Sequence, residues 1–255
     1  MRLENKIALV TGGGQGIGKE IAKTLALNGA FVLINYIDLG NNQEIAQMTK
    51  NEIESLGGKC EILPANVASY DETLEMFKTI KNEYGRLDIL INNAGVLDKG
   101  LNAIDQIDYD DLNRVIDINQ KGTMYCMSEA LKVMKNGASI VNISSVAGQY
   151  GAGGAVYVST KAAIIGVTKH AAMRFAKEKI RCNVICPGSI TTDMAAGLTP
   201  DTMDMKMMGA MSAHSDLTLQ PCSPLDVAKV ALFLASDDAA PLTGQVVVSD
   251  YGVDL

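Results

Sequence analysis

The sequence predicts an α/β fold, specifically a single-domain, Rossmann-like, doubly wound parallel sheet of about seven strands with helices on both faces. Seven short apolar, β-branched runs alternate with longer amphipathic segments. The runs are apolar throughout rather than alternating with polar residues, which is typical of strands buried on both sides. Strands separated by helices of this length form right-handed βαβ units and therefore a parallel sheet.

The predicted elements follow one another with little interruption. We expect strands at 6–12, 31–36, 60–65, 87–93, 138–144, 181–188 and 245–250. Helical patterns fall at 16–28, 42–56, 70–84, 109–135, 155–178 and 224–236. Because no polar linker or charge run divides the chain, we expect residues 1–255 to form one dinucleotide-binding and catalytic domain. The long segment 189–223 has no strand pattern, and insertions of this length are often functional.

Composition narrows the class of protein. A chain of 255 residues with 47% hydrophobic content can bury one core. The net charge of −7 argues against a nucleic-acid binder and an electrostatic membrane anchor, which both need a basic surface. The apolar runs are too short for a signal peptide or a membrane span, and the odd number of cysteines fits reduced thiols in a cytoplasmic protein. With only two histidines in the chain, no metal site is expected.

A glycine-rich turn follows the first predicted strand. The stretch TGGGQGIG (11–18) places Gly12, Gly16 and Gly18 between that strand and a helix. The usual G-x-G-x-x-G spacing does not fit, because Ile17 stands where that pattern needs glycine. Glycine still permits a tight turn and close backbone approach, and the helix N-terminus offers unpaired N–H groups to a pyrophosphate. The order strand, turn and helix therefore predicts a dinucleotide site.

The end of the second strand bears on the choice of dinucleotide. An acidic residue there binds the ribose 2′-hydroxyl of NAD, whereas a basic residue accepts the 2′-phosphate of NADP. Here the expected position holds Tyr36, Asp38 follows two residues later, and no Lys or Arg occurs from Phe31 to Thr49. The pattern favours NAD(H) slightly over NADP(H). The alternative interpretation of Asp38 is an ordinary turn aspartate.

A tyrosine and a lysine four residues apart lie near the start of a predicted helix, in YVSTK (157–161). Residues at this spacing share one helix face, so Lys161 lies beside the Tyr157 ring. An ammonium group next to a phenol favours the phenolate and lowers its pKa from about 10. The fifth strand ends at Ser144 and Ser145, where a hydroxyl can orient a carbonyl oxygen. Together these groups predict proton exchange with an alcohol or ketone.

These motifs, in this order, resemble the short-chain dehydrogenase/reductase family over essentially the whole chain. The matching stretches are TGGGQGIG (11–18), NNAG (92–95), NISS (142–145), YVSTK (157–161) and CPGSITT (186–192). The resemblance implies Tyr157 as catalytic acid/base, Lys161 as the residue that lowers its pKa, and Ser145 as the orienting serine, with Ser144 as competitor. It also implies that Asn119 holds a proton-relay water. A homo-oligomer, tetramer or dimer, is implied as well.

The resemblance also assigns cofactor contacts. The implied NAD(P)-binding residues are Gly12, Gln15, Gly16, Ile17, Gly18, Tyr36, Asp38, Asn66, Val67, Asn92, Ala94, Gly95, Tyr157, Lys161, Pro187, Gly188, Ile190 and Thr192. The chain departs from the family's pattern at two positions. Asn66 stands where an aspartate usually meets adenine, and Tyr251 stands where the C-terminal strand usually runs into paired glycines.

The stretch TPDTMDMKMMGAMSAH (199–214) contains five methionines. Soft thioethers suit Cu(I), but an apolar helical stripe is the better explanation. The stretch lies where the resembling family carries a mobile segment over its substrate. We therefore expect a mobile substrate lid at about 189–223. Its residues 193–215 should be poorly ordered or open without ligand and line the substrate pocket when closed, because methionine covers irregular apolar ligands well.

The predicted substrate-contacting residues are Ser145, Gln149, Tyr150, Tyr157, Met194, Met207 and Met208. Most residues near them are small or apolar, and only Lys99 and Lys206 could meet an anionic group. This favours an apolar ketone or hydroxysteroid, of a bile-acid type, as the small-molecule substrate. A β-ketoacyl-carrier-protein reductase and a non-catalytic dinucleotide-binding protein are the alternatives.

Overall fold

A computed structural model describes residues 1–190, 203–216 and 218–254. Seven strands form one sheet in the order β3-β2-β1-β4-β5-β6-β7, and all neighbouring strands are parallel. The strands are β1 Ile7–Val10, β2 Phe31–Tyr36, β3 Lys59–Pro64, β4 Leu87–Asn92, β5 Met134–Ile143, β6 Arg181–Pro187 and β7 Val246–Ser249. The predicted doubly wound α/β fold is confirmed.

Helices cover both faces of this sheet. They are α1 Gly16–Leu27, α2 Asn42–Ser55, α3 Tyr70–Tyr84, α4 Tyr109–Val115, α5 Gly122–Val133, α6 Ala147–Tyr150, α7 Ala155–Arg174, α8 Met205–Ser212 and α9 Pro224–Ala235. A π-helical turn, Ile116–Lys121, joins α4 to α5 without a break. Short 3₁₀ turns lie at Lys99–Leu101, Ile104–Gln106 and Asp237–Ala239. No described helix has the length and apolar character that crossing a bilayer requires.

The core forms on both sides of the sheet because strand side chains alternate between its faces. Ala8 and Val10 belong to the cluster that contains Ile21 of α1 and Val227 of α9. Leu9, between them, belongs to the opposite cluster, which also contains residues of α3, α5 and α7. A strand with both faces buried is therefore apolar at every position, which is the pattern that the sequence presented.

Two element boundaries differ from the predicted ones. The helix expected to reach residue 135 ends at Val133, and β5 begins at Met134 because that residue pairs with Leu87 across an irregularity in the sheet. The helix expected to reach residue 178 ends at Arg174, and the chain then turns through Lys179, whose φ is +54°. Both differences arise from tertiary pairing and turn geometry rather than from periodicity.

The methionine-rich stretch forms a short helix within its described part. Helix α8 begins after Asp204, whose Oδ1 accepts the N–H groups of Lys206 at 2.9 Å and Met207 at 3.1 Å. The backbone N–H of Asp204 in turn donates to the carbonyl oxygen of Gly100 at 2.9 Å. These contacts join α8 to the segment after β4, next to the carboxyl edge of the sheet.

Candidate active site

The glycine-rich turn leaves β1 at the point where the strand order reverses between β1 and β4. Gly12 and Gly16 have φ values of +61° and +55°, a region that side chains rarely enter. A Cβ on Gly18 would overlap the carbonyl oxygen of Gly12 and approach Asn93 Nδ2 to 2.5 Å. The turn therefore needs glycine at these positions for its backbone conformation and for its contact with β4.

Three side chains that the sequence analysis did not select hold this turn. The Thr11 hydroxyl accepts hydrogen bonds from the N–H groups of Asn93 and Ala94, each at a distance of 3.0 Å. The Asn93 amide donates to the carbonyl oxygens of Thr11 at 3.0 Å and Gly12 at 3.1 Å. From the other side, Asn35 in β2 accepts the Gly12 N–H and donates to the carbonyl of Ala65. The available sequence signal was a lone polar residue, Asn35, within a buried apolar strand.

A cavity of about 800 Å³ opens from this turn along the carboxyl edge of the sheet. Helix α1 points its N-terminus into the same region, with no acidic residue in its first turn and no side chain capping it. The described residues that line the cavity include ten of the predicted cofactor residues: Gly12, Gln15, Gly16, Ile17, Gly18, Tyr36, Asn66, Val67, Ala94 and Gly95. The wall also contains Val96, Leu97, Asp98, Lys99, Gly100, Arg114 and Ile118.

Other predicted cofactor residues lie outside this wall. Asp38 is exposed, Pro187 is buried at the end of β6, and Gly188 and Ile190 follow it. Thr192 lies outside the described residues.

Asn92 also lies outside this wall: its side chain is buried and donates to Asn142 Oδ1 at 2.8 Å. Successive residues of an extended strand face opposite sides, so Asn93 rather than Asn92 presents its side chain to the cavity.

The two serines after β5 have different surroundings. Ser144 is buried, and its hydroxyl donates to the carbonyl oxygen of Lys161 over 2.7 Å. Ser145 is partly exposed, accepts the N–H of Ala147 over 3.1 Å, and its hydroxyl interacts with the Tyr157 phenol. Ser144 therefore stabilises the packing of α7, whereas Ser145 has the position from which a hydroxyl could reach a ligand beside Tyr157.

Tyr157 and Lys161 lie one turn apart on α7. The Lys161 Nζ atom is 5.4 Å from the centroid of the Tyr157 ring and donates to the carbonyl oxygen of Ile143 over 3.0 Å. Burial lowers the pKa of Lys161 to about 8. Burial also raises the pKa of Tyr157 to about 12, and the interaction with Ser145 opposes that rise only in part.

The direction of the Tyr157 shift is opposite to the sequence expectation that Lys161 lowers this pKa. Desolvation of the buried phenol is the largest cause of this rise, and the Lys161 ammonium donates to the carbonyl of Ile143. At neutral pH the phenol is therefore protonated, which is the form required of a proton donor.

Asn119 lies between the Tyr157–Lys161 pair and the cavity wall. It lies in the π-helical turn, is fully buried, and makes two bonds with the Val96 backbone, at 2.8 Å to its N–H and 2.9 Å to its carbonyl. Gly95 sits between Asn119 and Lys161, since a Cβ there would lie 3.3 Å from Asn119 Oδ1 and 3.4 Å from Lys161 Nζ. The structure thus brings Asn119 and Lys161 together beside Gly95 of the cavity wall, and π turns often mark functional sites.

The predicted substrate residues are dispersed. Gln149 and Tyr150 are exposed on α6 and bonded to each other over 3.2 Å, and neither lines the cavity. Met207 and Met208 are partly buried on α8, and neither is among the described residues that line the cavity. Met194 lies outside the described residues, as does much of the expected lid.

Comparison with known proteins decides the family. The family model described as enoyl-(acyl carrier protein) reductase matches residues 12–254. A 3β-hydroxysteroid dehydrogenase from Mediterraneibacter gnavus is 35% identical, covering 98% of this chain and 95% of that protein. The chain belongs to the short-chain dehydrogenase/reductase family. A second member, the 3-oxoacyl-[acyl-carrier-protein] reductase FabG of Staphylococcus epidermidis, is 37% identical over 98% of this chain and 99% of its own.

Solved structures agree with the fold. A blue fluorescent protein from a metagenomic library, in complex with NADPH, has a TM-score of 0.87 at 29% identity, covering 99% of each chain. A short-chain dehydrogenase of Burkholderia cenocepacia in complex with NADP has a TM-score of 0.86 at 31% identity, again covering 99% of each chain. This short-chain dehydrogenase/reductase is accordingly an NAD(P)-dependent oxidoreductase acting on CH–OH and C=O groups.

Replacing Gly18 with alanine should weaken NADH binding. The added methyl group has no space between Gly12 and Asn93, and overpacking of this kind costs about 1–3 kcal/mol. We expect the Kd for NADH, measured by fluorescence titration, to rise about tenfold or more. Gly209→Ala is the matched control, because no atom lies within 4 Å of a Cβ on that exposed helical glycine. Equal NADH affinity in both variants would contradict this role of Gly18.

Proposed function

We propose that this enzyme moves hydride between a nicotinamide dinucleotide and a secondary alcohol or ketone, with Tyr157 as general acid and base. The observation that carries the proposal is the convergence of Ser145, Tyr157 and Lys161 at the carboxyl edge of the sheet. Lys161 lies next to Gly95, which lines the cavity of about 800 Å³. An alcohol or ketone oxygen beside Tyr157 would then face both a proton donor and a cofactor.

The cradle fits a dinucleotide. The glycine turn has no room for a Cβ at Gly18, and the α1 N-terminus carries no competing carboxylate. Unpaired N–H groups there suit a pyrophosphate. At the adenine end, the Asn66 Oδ1 atom accepts the N–H of Ala68 over 3.0 Å, which leaves its amide donor for the base. When bound, the nicotinamide supplies the hydride.

Residues of this chain then donate or accept the proton. In ketone reduction, the Tyr157 Oη–H donates to the oxygen that becomes the alcohol, and the Ser145 hydroxyl holds the same oxygen. The Lys161 ammonium, charged below a pKa of about 8, stabilises the phenolate that results. Asn119 fixes the Val96 backbone beside this cluster and is proposed to support resupply of the proton. In alcohol oxidation the phenolate accepts the proton instead.

We propose a modest preference for NAD(H). Among the described residues of the cavity wall, the only cations are Lys99 and Arg114. Both follow β4 rather than β2, and Arg114 is already paired with Asp111 and bound to the Leu97 carbonyl. Asp38 lies close enough to Tyr36 for its charge to raise the pKa of that phenol, after the larger effect of burial. A 2′-phosphate at this end would meet negative rather than positive charge.

We propose an apolar substrate of the hydroxysteroid class. The support is the apolar wall formed by Val96, Leu97 and Ile118, together with the 35% identity to a 3β-hydroxysteroid dehydrogenase. The main alternative is a 3-oxoacyl thioester, favoured by 37% identity to FabG proteins. A panel of NADH and NADPH oxidation with a 3-ketosteroid, acetoacetyl-coenzyme A and a simple sugar distinguishes them, because only one class should give efficient turnover.

We further propose that α8 borders the substrate and belongs to the lid expected at 189–223. The backbone bond from Asp204 to Gly100 places the start of α8 beside a residue of the cavity wall. Met207 and Met208 are partly buried, whereas Met205 is 61% exposed. The helix therefore has an inner and an outer methionine face, and the inner one is the candidate for substrate contact.

The exposed apolar side chains on two helices support a homo-oligomer, tetramer or dimer. Met124 on α5 is 46% exposed, and Met173 on α7 is 77% exposed. Large apolar side chains outside the core are commonly covered in oligomers.

Tyr157→Phe should remove most of the turnover while leaving the cofactor site intact. Loss of a general acid typically lowers rate by about 10²–10⁴-fold. We expect a fall of that size in kcat for the best panel substrate, followed by NADH absorbance, with the NADH Kd changed by no more than a few-fold. Tyr109→Phe, at a tyrosine 78% exposed, is the control and should keep full activity. Unchanged kcat in Tyr157→Phe would rule out the assignment.

The proposed cofactor preference predicts a lower KM for NADH than for NADPH. Asp38→Asn should narrow the ratio of the KM for NADPH to the KM for NADH by about fivefold, which corresponds to about 1 kcal/mol, the upper range for exposed charge pairs. Glu83→Gln removes an exposed charge on α3 and should leave the ratio unchanged. A wild-type enzyme that prefers NADPH would overturn the proposal.

Replacing Met207 and Met208 together by alanine should raise the substrate KM by about tenfold, since each lost apolar contact costs about 1 kcal/mol or more. The KM for NADH should change by less than about twofold. Met205→Ala is the matched control on the outer face. Equal KM values in the double variant and the wild type would exclude these methionines from the substrate site.

A further inference from the structure

Asp98 is a buried carboxylate in a largely apolar stretch of the cavity wall. It is 3% exposed and follows β4 by six residues, between Leu97 and Lys99. Its Oδ2 atom accepts the backbone N–H groups of Val156 at 3.3 Å and Tyr157 at 3.4 Å. A side chain from the segment after β4 thus binds the first turn of α7, which carries the proposed general acid.

Helix α7 has no N-terminal cap of its own. Its N-cap residue is Gly154, and no acidic residue lies in its first turn. A Cβ on Gly154 would overlap both carboxylate oxygens of Asp98. The Asp98 carboxylate therefore fills the space that a side chain at the N-cap would occupy. From 58 residues away, it accepts helix N–H groups that a Ser or Asp at the N-cap usually accepts.

The neighbouring segment holds this arrangement. The Ala155 N–H donates to the Asn102 carbonyl over 2.9 Å. On the α4 side, Asp111 accepts the Lys99 N–H over 2.6 Å, and Arg114 donates to the Leu97 carbonyl over 2.7 Å. The segment 97–102 is therefore bound to two helices, so Asp98 cannot move without disturbing both.

The charge on Asp98 has no opposite partner in the part of the chain that the structure describes. Arg114 is paired with Asp111, and the Oδ1 atom of Asp98 is buried without a hydrogen bond among the described residues. Burial raises the pKa of Asp98, and Asp111 adds to that rise, while the N–H groups of Tyr157 and Val156 oppose it. Ionised Asp98 is therefore a negative charge held by the start of α7.

The groups that face the Tyr157 phenol come from four parts of the fold. They are Ser145 after β5, Lys161 on α7, Cys186 on β6 and Asp98 after β4. Of these, Asp98 is the one carboxylate among the described residues that acts on the phenol, and it disfavours the phenolate.

We propose that Asp98 is a positioning residue, which caps α7 from the segment after β4, holds the backbone of Tyr157 in place and keeps a negative charge beside the first turn that carries the proposed general acid. This inference rests on the proposed role of Tyr157. It assigns to Asp98 two separable effects, since the cap needs an acceptor atom and the electrostatic effect needs the charge. An amide at position 98 keeps the first and removes the second, whereas alanine removes both.

The test compares Asp98→Asn and Asp98→Ala in the oxidation of a 3β-hydroxysteroid or of 3-hydroxybutyryl-coenzyme A, whichever the wild type turns over. In this direction kcat rises with pH as the phenol ionises. We expect Asp98→Asn to move this rise to lower pH by about half a unit or more, because a neighbouring negative charge is lost. Its plateau kcat should stay within about threefold of wild type, while that of Asp98→Ala should fall about tenfold, since small displacements of catalytic groups are costly.

The control is Asp105→Asn, which removes an equal charge from an exposed residue of the adjoining 3₁₀ turn. It should leave both the pH profile and kcat unchanged. Identical pH profiles for Asp98→Asn and wild type, or equal loss of kcat in the asparagine and alanine variants, would overturn the proposal. If Tyr157→Phe itself retains turnover, the proposed general acid is wrong, and that outcome is distinct from failure of the Asp98 inference.

A measurement on the wild type decides the case if the variants do not fold. Hydrogen exchange of a peptide containing Val156 and Tyr157 should show their amide protection falling as Asp98 becomes protonated, since a neutral carboxyl is the weaker acceptor. Protection that stays constant through the acid range, while the enzyme remains folded, contradicts the cap.

Discussion

The active site depends on a reciprocal pair of hydrogen bonds between the end of β5 and the first turns of α7. The Ser144 hydroxyl donates to the carbonyl of Lys161, and the Lys161 ammonium donates to the carbonyl of Ile143. This pair fixes the register of the helix on the sheet. Tyr157, one turn earlier, is thereby held next to Ser145. A Cβ on Gly148 would come within 2.5 Å of the Lys161 carbonyl carbon, so α6 packs closely against the same turn.

The glycine turn of the proposed cofactor site is held by a different set of contacts, from β2 and from the end of β4. Thr11, Asn35 and Asn93 bind backbone groups, and they hold the glycine turn at the reversal of strand order. The catalytic cluster and the dinucleotide cavity meet at Gly95, where a side chain would crowd Asn119 and Lys161. The chemistry therefore becomes possible because two independently supported halves share one edge of the sheet.

Periodicity and motif spacing predicted the sheet, its main helices and the glycine turn, because each is encoded over a few neighbouring residues. They could not predict Asp98, whose partners lie 58 and 59 residues away. They left Ser144 and Ser145 as alternatives, which the structure separates by burial. The direction of the Tyr157 pKa shift was also beyond the sequence, because the spacing with Lys161 says nothing about desolvation or about the carbonyl of Ile143.

The most direct test of the account is the pH dependence of kcat/KM for alcohol oxidation, compared between wild type and Tyr157→Phe. The wild-type kcat/KM should rise with pH toward the raised pKa of Tyr157. Above about pH 8 this rise should become less steep, because Lys161 then loses the charge that stabilises the phenolate. The residual activity of Tyr157→Phe should lack this rise, because no phenol is left to ionise. If the variant keeps the wild-type profile, another group titrates, and Tyr157 is not the acid and base of this enzyme.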